Sequence, residues 1–311
     1  MAFTLGFPQS NRVYGRCYLK TKSLLAQTKG LLRRFDLRAR KGLGQHFLID
    51  EEVLQRVVSA AELTPTDVVM EVGPGLGVLT RELARRVGWV FTIELDSKLA
   101  AILKQTLASF DNVAIINEDV LKVSPKNLLR EEEGRLSPAI SSSGYKVVAN
   151  LPYYITSPVL RHFLEASLKP RVMVVMVQKE VAEAIVAEPG DMSVLSISVQ
   201  FYGRPEIISH VPARCFYPAP EVDSAILRVA LYAKPAVDVA DAEGFFGLVR
   251  AGFAAPRKQI CNSLAHGLNW PKDEALSLLD GAKIVSQRRA ETLSLDEWAQ
   301  LWQVFTDRKE G

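Results

Sequence analysis

The sequence predicts an α/β fold, a parallel sheet with helices on both faces, followed by a small all-helical domain. Between residues 53 and 177, short apolar runs alternate with stretches of helical period, at a spacing that implies crossover connections. A glycine-rich turn joins the first of these strands to the helix after it. Beyond about residue 236 only helical periods remain.

In chain order, apolar residues at helical spacing predict a helix over 53–61, and the run Val-Val-Met-Glu-Val predicts a buried strand over 68–72. A helix over 78–87, a strand over 89–93, a helix over 98–109 and a strand over 113–117 follow. Residues 130–144 are polar and rich in Ser and Gly, as in a surface loop. Next come a strand over 146–149, a helix over 158–168 and a strand over 172–177, the last continuously apolar as in a strand covered on both faces. Residues 192–203 fit the helical and the strand period alike. A strand over 222–231 ends before Lys234-Pro235, which opens a linker. Helices over 245–253, 258–264, 272–279 and 295–305 complete the chain. The expected organisation is a basic extension over 1–35, a sheet domain over 36–235 and a helical domain over 236–311.

With 48% hydrophobic and 23% charged residues in 311, the composition excludes collagen-like, disordered and disulfide-scaffold classes. The longest apolar run, 172–177, is far short of the roughly 20 residues a membrane-spanning helix needs. Cys17, Cys215 and Cys261 are odd in number and lack CxxC spacing, and with four scattered histidines they form no zinc pattern. Reduced cysteines fit a cytoplasmic protein. Residues 1–50 carry ten cations against Asp36 and Asp50, a charge of +8 that leaves −5 on the rest of a +3 chain. Such an arm suits a polyanionic partner, or a solvated or targeting leader. The first 20 residues are acid-poor, so an organelle address is the alternative to the cytoplasm.

Glu71-Val72-Gly73-Pro74-Gly75-Leu76-Gly77 lies where the first strand turns into a helix, so its glycines allow a tight turn and close approach to a ligand. Twenty-one residues after Gly73, Glu94 ends the second strand, where a carboxylate accepts from ribose hydroxyls. The glycines read G-x-G-x-G rather than the pyrophosphate-binding G-x-G-x-x-G, which suits a nucleoside ligand without phosphates, such as S-adenosylmethionine. Glu118-Asp119 ends the third strand, where an acid can accept from an adenine amine.

After the fourth strand comes Asn150-Leu151-Pro152-Tyr153-Tyr154, at the sheet end where open α/β folds bind ligands. An exocyclic amine on a base is a poor nucleophile, because its lone pair is delocalised into the ring. The Asn150 side-chain oxygen and the Leu151 carbonyl can accept its two N–H bonds and orient the lone pair. Pro152 stiffens that carbonyl and Tyr153 stacks on the base. Positioning and electrostatics then supply the rate, with no titrating base.

With three further segments, these motifs resemble the ribosomal small-subunit RNA adenine N6,N6-dimethyltransferase family. The segments are Lys41-Gly42-Leu43-Gly44-Gln45-His46-Phe47-Leu48, Gln178-Lys179-Glu180-Val181-Ala182, and Phe216-Tyr217-Pro218-Ala219-Pro220-Glu221-Val222-Asp223-Ser224. The resemblance implies a Rossmann-like S-adenosylmethionine-dependent methyltransferase sheet with helices on both faces, plus a small all-α C-terminal domain. It implies that His46 and Leu48 cover the cofactor, Gly73 lies near its methionine end, Glu94 holds the ribose and Asp119 the adenine. Asn150 bridges cofactor and target, and Phe216 faces Tyr153 across the flipped adenine. The family often shows Asn at the position of His46.

The helical tail resembles the family's rRNA-docking domain, with Arg257 and Lys258 at a helix start available for phosphate. The implied activity is dimethylation of N6 on two adjacent adenosines in a hairpin loop near the 3′ end of small-subunit rRNA. The implied enzyme is a monomer without metal or membrane partner, acting on that rRNA or on the assembling small subunit. The alternatives are a large-subunit rRNA methyltransferase of the macrolide-resistance type and a non-catalytic nucleic-acid-binding factor on the same fold. Those resistance enzymes look more like N-I-P-Y followed by S-T, where this chain has N-L-P-Y and Ser157-Pro158.

Overall fold

The computed structural model describes residues 23–37, 44–131 and 144–310. The motif residues 41–43, the first 20 residues and most of the loop expected over 130–144 lie outside that range. The strands are β1 (Phe47–Leu48), β2 (Val68–Val72), β3 (Trp89–Ile93), β4 (Val113–Ile116), β5 (Tyr145–Asn150), β6 (Val172–Gln178), β7 (Gly203–Val211), β8 (Phe216–Tyr217) and β9 (Ser224–Leu231). Seven form one sheet in the order β4-β3-β2-β5-β6-β9-β7, and β1 pairs with β8 apart from it.

The sheet is mixed, not parallel throughout. Pairing is parallel from β4 to β6, but β9 runs antiparallel to both β6 and β7. Residues 212–223, which return from β7 to β9, hold a short turn and β8 in place of the crossover helix that parallel strands usually need. β7 is an edge strand with Pro205 and a bulge at Ile207/Ser209, both features that discourage pairing with another chain.

Helices α1 (Leu24–Arg34), α2 (Glu51–Ala60), α3 (Val78–Ala84), α4 (Ser97–Thr106), α5 (Pro125–Glu131), α6 (Thr156–Leu164) and α7 (Lys179–Ile185) precede α8 (Val194–Tyr202). The ambiguous stretch 192–203 is thus helical, and its start is fixed by a capping box between Ser193 and Ser196. The tail holds α9 (Ala242–Gly252), α10 (Ile260–Leu268), α11 (Lys272–Gly281) and α12 (Leu295–Glu310). One apolar core runs from the sheet strands into these tail helices. At the junction Phe201 stacks on Phe245 at 5.3 Å, and Phe245 meets Trp302 edge-on at 6.4 Å.

Two features anchor the body. At the amino ends of the strands, the buried Lys146 ammonium donates to Ala61 O (3.0 Å), Glu62 O (2.7 Å) and Asp67 Oδ2 (2.9 Å), so its charge is paired and its donors are used. Within the basic extension, α1 docks through the i, i+4, i+8 stripe Leu24, Thr28 and Leu32. Leu32 closes a cluster with Phe47, Leu76 and Leu99.

Candidate active site

The strands' carboxyl ends enclose a cavity of about 230 Å3, lined by residues 44–48, 71–76, 93–96, 118–121 and 150–155. The glycine turn shapes its floor. Gly75 has φ +58°, and an added Cβ would stand 3.0 Å from the Phe47 ring, so both backbone conformation and space require glycine. Gly77, at φ +76°, is the left-handed N-cap of α3. Glu94 holds the turn in place: its Oε2 accepts from Gly75 N (3.2 Å) and its Oε1 from Asp96 N (2.9 Å).

The lining is acidic. Glu71, Glu94, Asp96, Glu118 and Asp119 all contribute, and among the described residues no Lys or Arg does. Burial pushes the Glu71 carboxyl up to about 7, against the Thr92 hydroxyl that donates to it at 3.1 Å. Burial also raises Glu94, opposed by the two backbone amides. Asp119 lines the cavity, and its Oδ1 accepts from Leu121 N at 3.0 Å, which caps a short turn.

Next to the glycine turn β5 ends at Asn150, in register with Met176, and Leu151 N donates to Met176 O at 3.1 Å. Asn150 Nδ2 donates to His46 O at 3.0 Å. A carbonyl can pair only with the amide's NH2, so the bond fixes the flip and leaves Oδ1 as the free acceptor. Tyr153 is held at its far end, its hydroxyl 2.7 Å from Ser224 Oγ, and burial raises its pKa. The His46 ring lies over Tyr153 with centroids 5.8 Å apart and planes at 22°. Its Nδ1 donates to Pro218 O at 2.8 Å, a bond that sets the tautomer because the partner is a carbonyl.

Gly73, Glu94, Asp119, His46, Leu48, Asn150, Leu151 and Tyr153 therefore all meet at one cavity, as the sequence expects. Phe216 does not join them. It is 2% exposed and packs in the core that includes Leu48, Val53 and Ile226. The cause is strand alternation: β8 pairs with β1 through Phe216↔Leu48 and Phe47↔Tyr217, so Phe216 turns inward and Tyr217, 36% exposed, turns outward. Arg257 and Lys258 are exposed on the loop before α10, outside the cavity lining. Sequence reasoning did not single out Asp96 or the 55% exposed Tyr154, which also line the cavity. Tyr154 follows Tyr153 in the segment after β5, and an aromatic at the sheet's carboxyl end was its available signal.

An acidic, cation-free cavity at the strand ends, with a glycine turn below and a locked Asn amide above, belongs to the S-adenosylmethionine-dependent methyltransferase fold. Among the described residues no helix is long and apolar enough to cross a membrane, and no group of three metal-ligating side chains forms. The family model for ribosomal RNA adenine dimethylase matches residues 36–307, and the chain belongs to that family.

The chain is 52% identical over 287 residues to ribosomal RNA small subunit methyltransferase A of Dehalococcoides mccartyi, covering 92% of this chain and 95% of the relative. It is 43% identical over 290 residues to the protein of the same name from Bacillus cytotoxicus, covering 91% and 97%. Among solved structures, the 23S rRNA methyltransferase ErmE aligns with TM-score 0.63 and 29% identity over 84% of this chain and 99% of that one. A dimethyladenosine transferase from Plasmodium falciparum shares the fold, with TM-score 0.68 and 24% identity over 85% and 98%.

Proposed function

We propose that this protein uses S-adenosylmethionine to dimethylate N6 of two adjacent adenosines in the 3′-terminal hairpin loop of small-subunit rRNA. The reading places it in the cytoplasm during assembly of the small subunit. The observation that carries it is the Asn150 amide on the cavity wall, its Nδ2 committed to His46 O and its Oδ1 left to accept from an amine.

The residues present fit the cofactor. Gly75 lines the cavity at a positive φ that brings bare backbone to its floor, and the acidic lining suits a ligand whose sulfonium and ammonium carry positive charge while disfavouring a pyrophosphate. When bound, S-adenosylmethionine supplies an electrophilic methyl group. Glu94 then holds the ribose, Asp119 the adenine amine, and His46 and Leu48 the cavity roof. Asn150 Oδ1 and the Leu151 carbonyl accept hydrogen bonds from the N6–H groups and aim the nitrogen lone pair. Tyr153, held by Ser224, gives the flipped base a stacking face. Arg257 and Lys258 rest on RNA phosphate. The small-subunit name of the relatives at 52% and 43% identity supports that substrate over large-subunit rRNA.

The test offers labelled S-adenosylmethionine with undermethylated small subunits, and with large-subunit rRNA in parallel, mapping stops by primer extension. Paired stops in the small-subunit 3′ hairpin are the expected result. Label confined to large-subunit RNA, or no label with cofactor still bound, overturns the reading.

Glu71 gives this cavity a pH dependence of definite sign. Below about 7 its carboxyl is protonated, and above that it adds negative charge to the cavity. S-adenosylmethionine affinity is therefore expected to rise several-fold from pH 6 to pH 8, while S-adenosylhomocysteine, which lacks the sulfonium charge, changes less. Calorimetric titration with both ligands checks this, and Glu71→Gln should flatten the difference.

A further inference from the structure

The cavity attracts cations, yet its proposed substrate is a polyanion. A target base can enter only if the phosphates beside it are met by positive charge outside the acidic lining. The helix α1 stands at that place. Its buried stripe ends at Leu32, which packs on Phe47 and Leu76, two residues of the cavity wall. Outside that stripe Lys29, Arg33 and Arg34 are exposed, Lys29 on the flank beside buried Thr28, and Asp36 is the lone acid of the described segment 23–37.

Arg33 and Arg34 lie along the helix itself, with Arg33 Nε donating to Lys29 O at 3.3 Å and the Arg34 guanidinium over Phe35 at 5.2 Å. Lys29 reaches across instead. Its ammonium lies 5.2 Å over the ring of Tyr217, the outward-facing residue of β8. The next residue, Pro218, accepts from His46, and His46 lies over Tyr153. A run of direct contacts thus links the Lys29 ammonium to the ring proposed to receive the base.

We infer that α1 is an RNA-binding element of the active-site mouth, and that Lys29, braced on Tyr217, holds a phosphate of the strand whose base enters the cavity. The inference rests on the proposed RNA substrate. An ammonium on a flexible stem suits a single phosphate oxygen as a point charge. The apolar stripe of α1 supplies rigidity, so the cation waits at the mouth and need not be ordered by the RNA.

The test uses the full-length protein and undermethylated small subunits, measuring kcat and both KM values between 50 and 200 mM potassium chloride. Lys29→Gln is expected to raise the subunit KM about three-fold or more and to leave the S-adenosylmethionine KM within two-fold. It should also reduce the slope of log KM against log salt by roughly 0.7 to 0.9, the loss of one phosphate contact. Lys29→Arg should restore both values. Lys104→Gln removes the same charge from an exposed position on α4 and should behave as wild type. A wild-type subunit KM and salt slope in Lys29→Gln overturns the inference, as does an equal change in Lys104→Gln, which marks a general charge effect. Failure of the wild-type protein to methylate small subunits sinks the proposed substrate itself, so the two failures are distinct.

Discussion

Asn150→Ala is expected to lower methyl transfer at least a hundredfold, and up to about a thousandfold, while S-adenosylmethionine affinity stays within about three-fold. Losing one preorganised polar group aimed at the reacting centre has a cost of that order. Here the same side chain also orients the nucleophile. Cofactor binding is largely spared because the turn at Gly75 is held by Glu94 and not by the Asn150 side chain. Asn150→Asp is not a rescue. A carboxylate has no donor for His46 O, so it repels the carbonyl that positions the native amide. Single-turnover transfer, with cofactor affinity measured separately by equilibrium dialysis, tests the split. Equal loss in both quantities would mean that Asn150 supports the cavity and not the chemistry.

Glu94→Ala should show the opposite split. Its two oxygens bind Gly75 N and Asp96 N, so removal strands two backbone donors and also deletes the proposed ribose contact. Hydrogen bonds to a charged group contribute about 1.5–3 kcal/mol each, so a rise of about a hundredfold in the S-adenosylmethionine dissociation constant is expected. The subunit KM should stay within three-fold, and kcat should partly recover at saturating cofactor. Glu94→Gln restores only one acceptor, because its NH2 faces the second amide donor, and should remain well below wild type. Cofactor titration of the three proteins is the check.

The cavity was legible in the sequence because its parts sit at strand ends, where residue type and spacing are tied to geometry. Glu94 and Asn150 each close a strand whose apolar run could be read directly, and Gly73 to Gly77 mark the turn. The rest depended on partners distant in sequence. β1 and β8 are two residues long and have no period to detect, so the side to which Phe216 points emerged only from its pairing with Leu48. An aromatic in a motif reads equally as a base clamp or as core, and in this structure Phe216 is buried and outside the cavity lining. β7 stayed hidden because an edge strand half-open to solvent lacks an apolar run. For 192–203 the cap at Ser193 and Ser196 was in view, but apolar residues at both periods masked it. The docking of α1 needed Phe47 and Leu76, which lie well downstream of Leu32.

The apolar core passes from Phe201 through Phe245 to Trp302, so the tail helices are packed onto the sheet body. That packing ties the helix after Arg257 and Lys258 to the same core as the strand that ends at Asn150, like the jaws of a caliper. With those cations resting on RNA as proposed, a hairpin loop meets Asn150 only when it stands the right distance from its anchorage. On that proposal the adenosines are picked by measuring the ribosome's architecture more than by reading the letters around them.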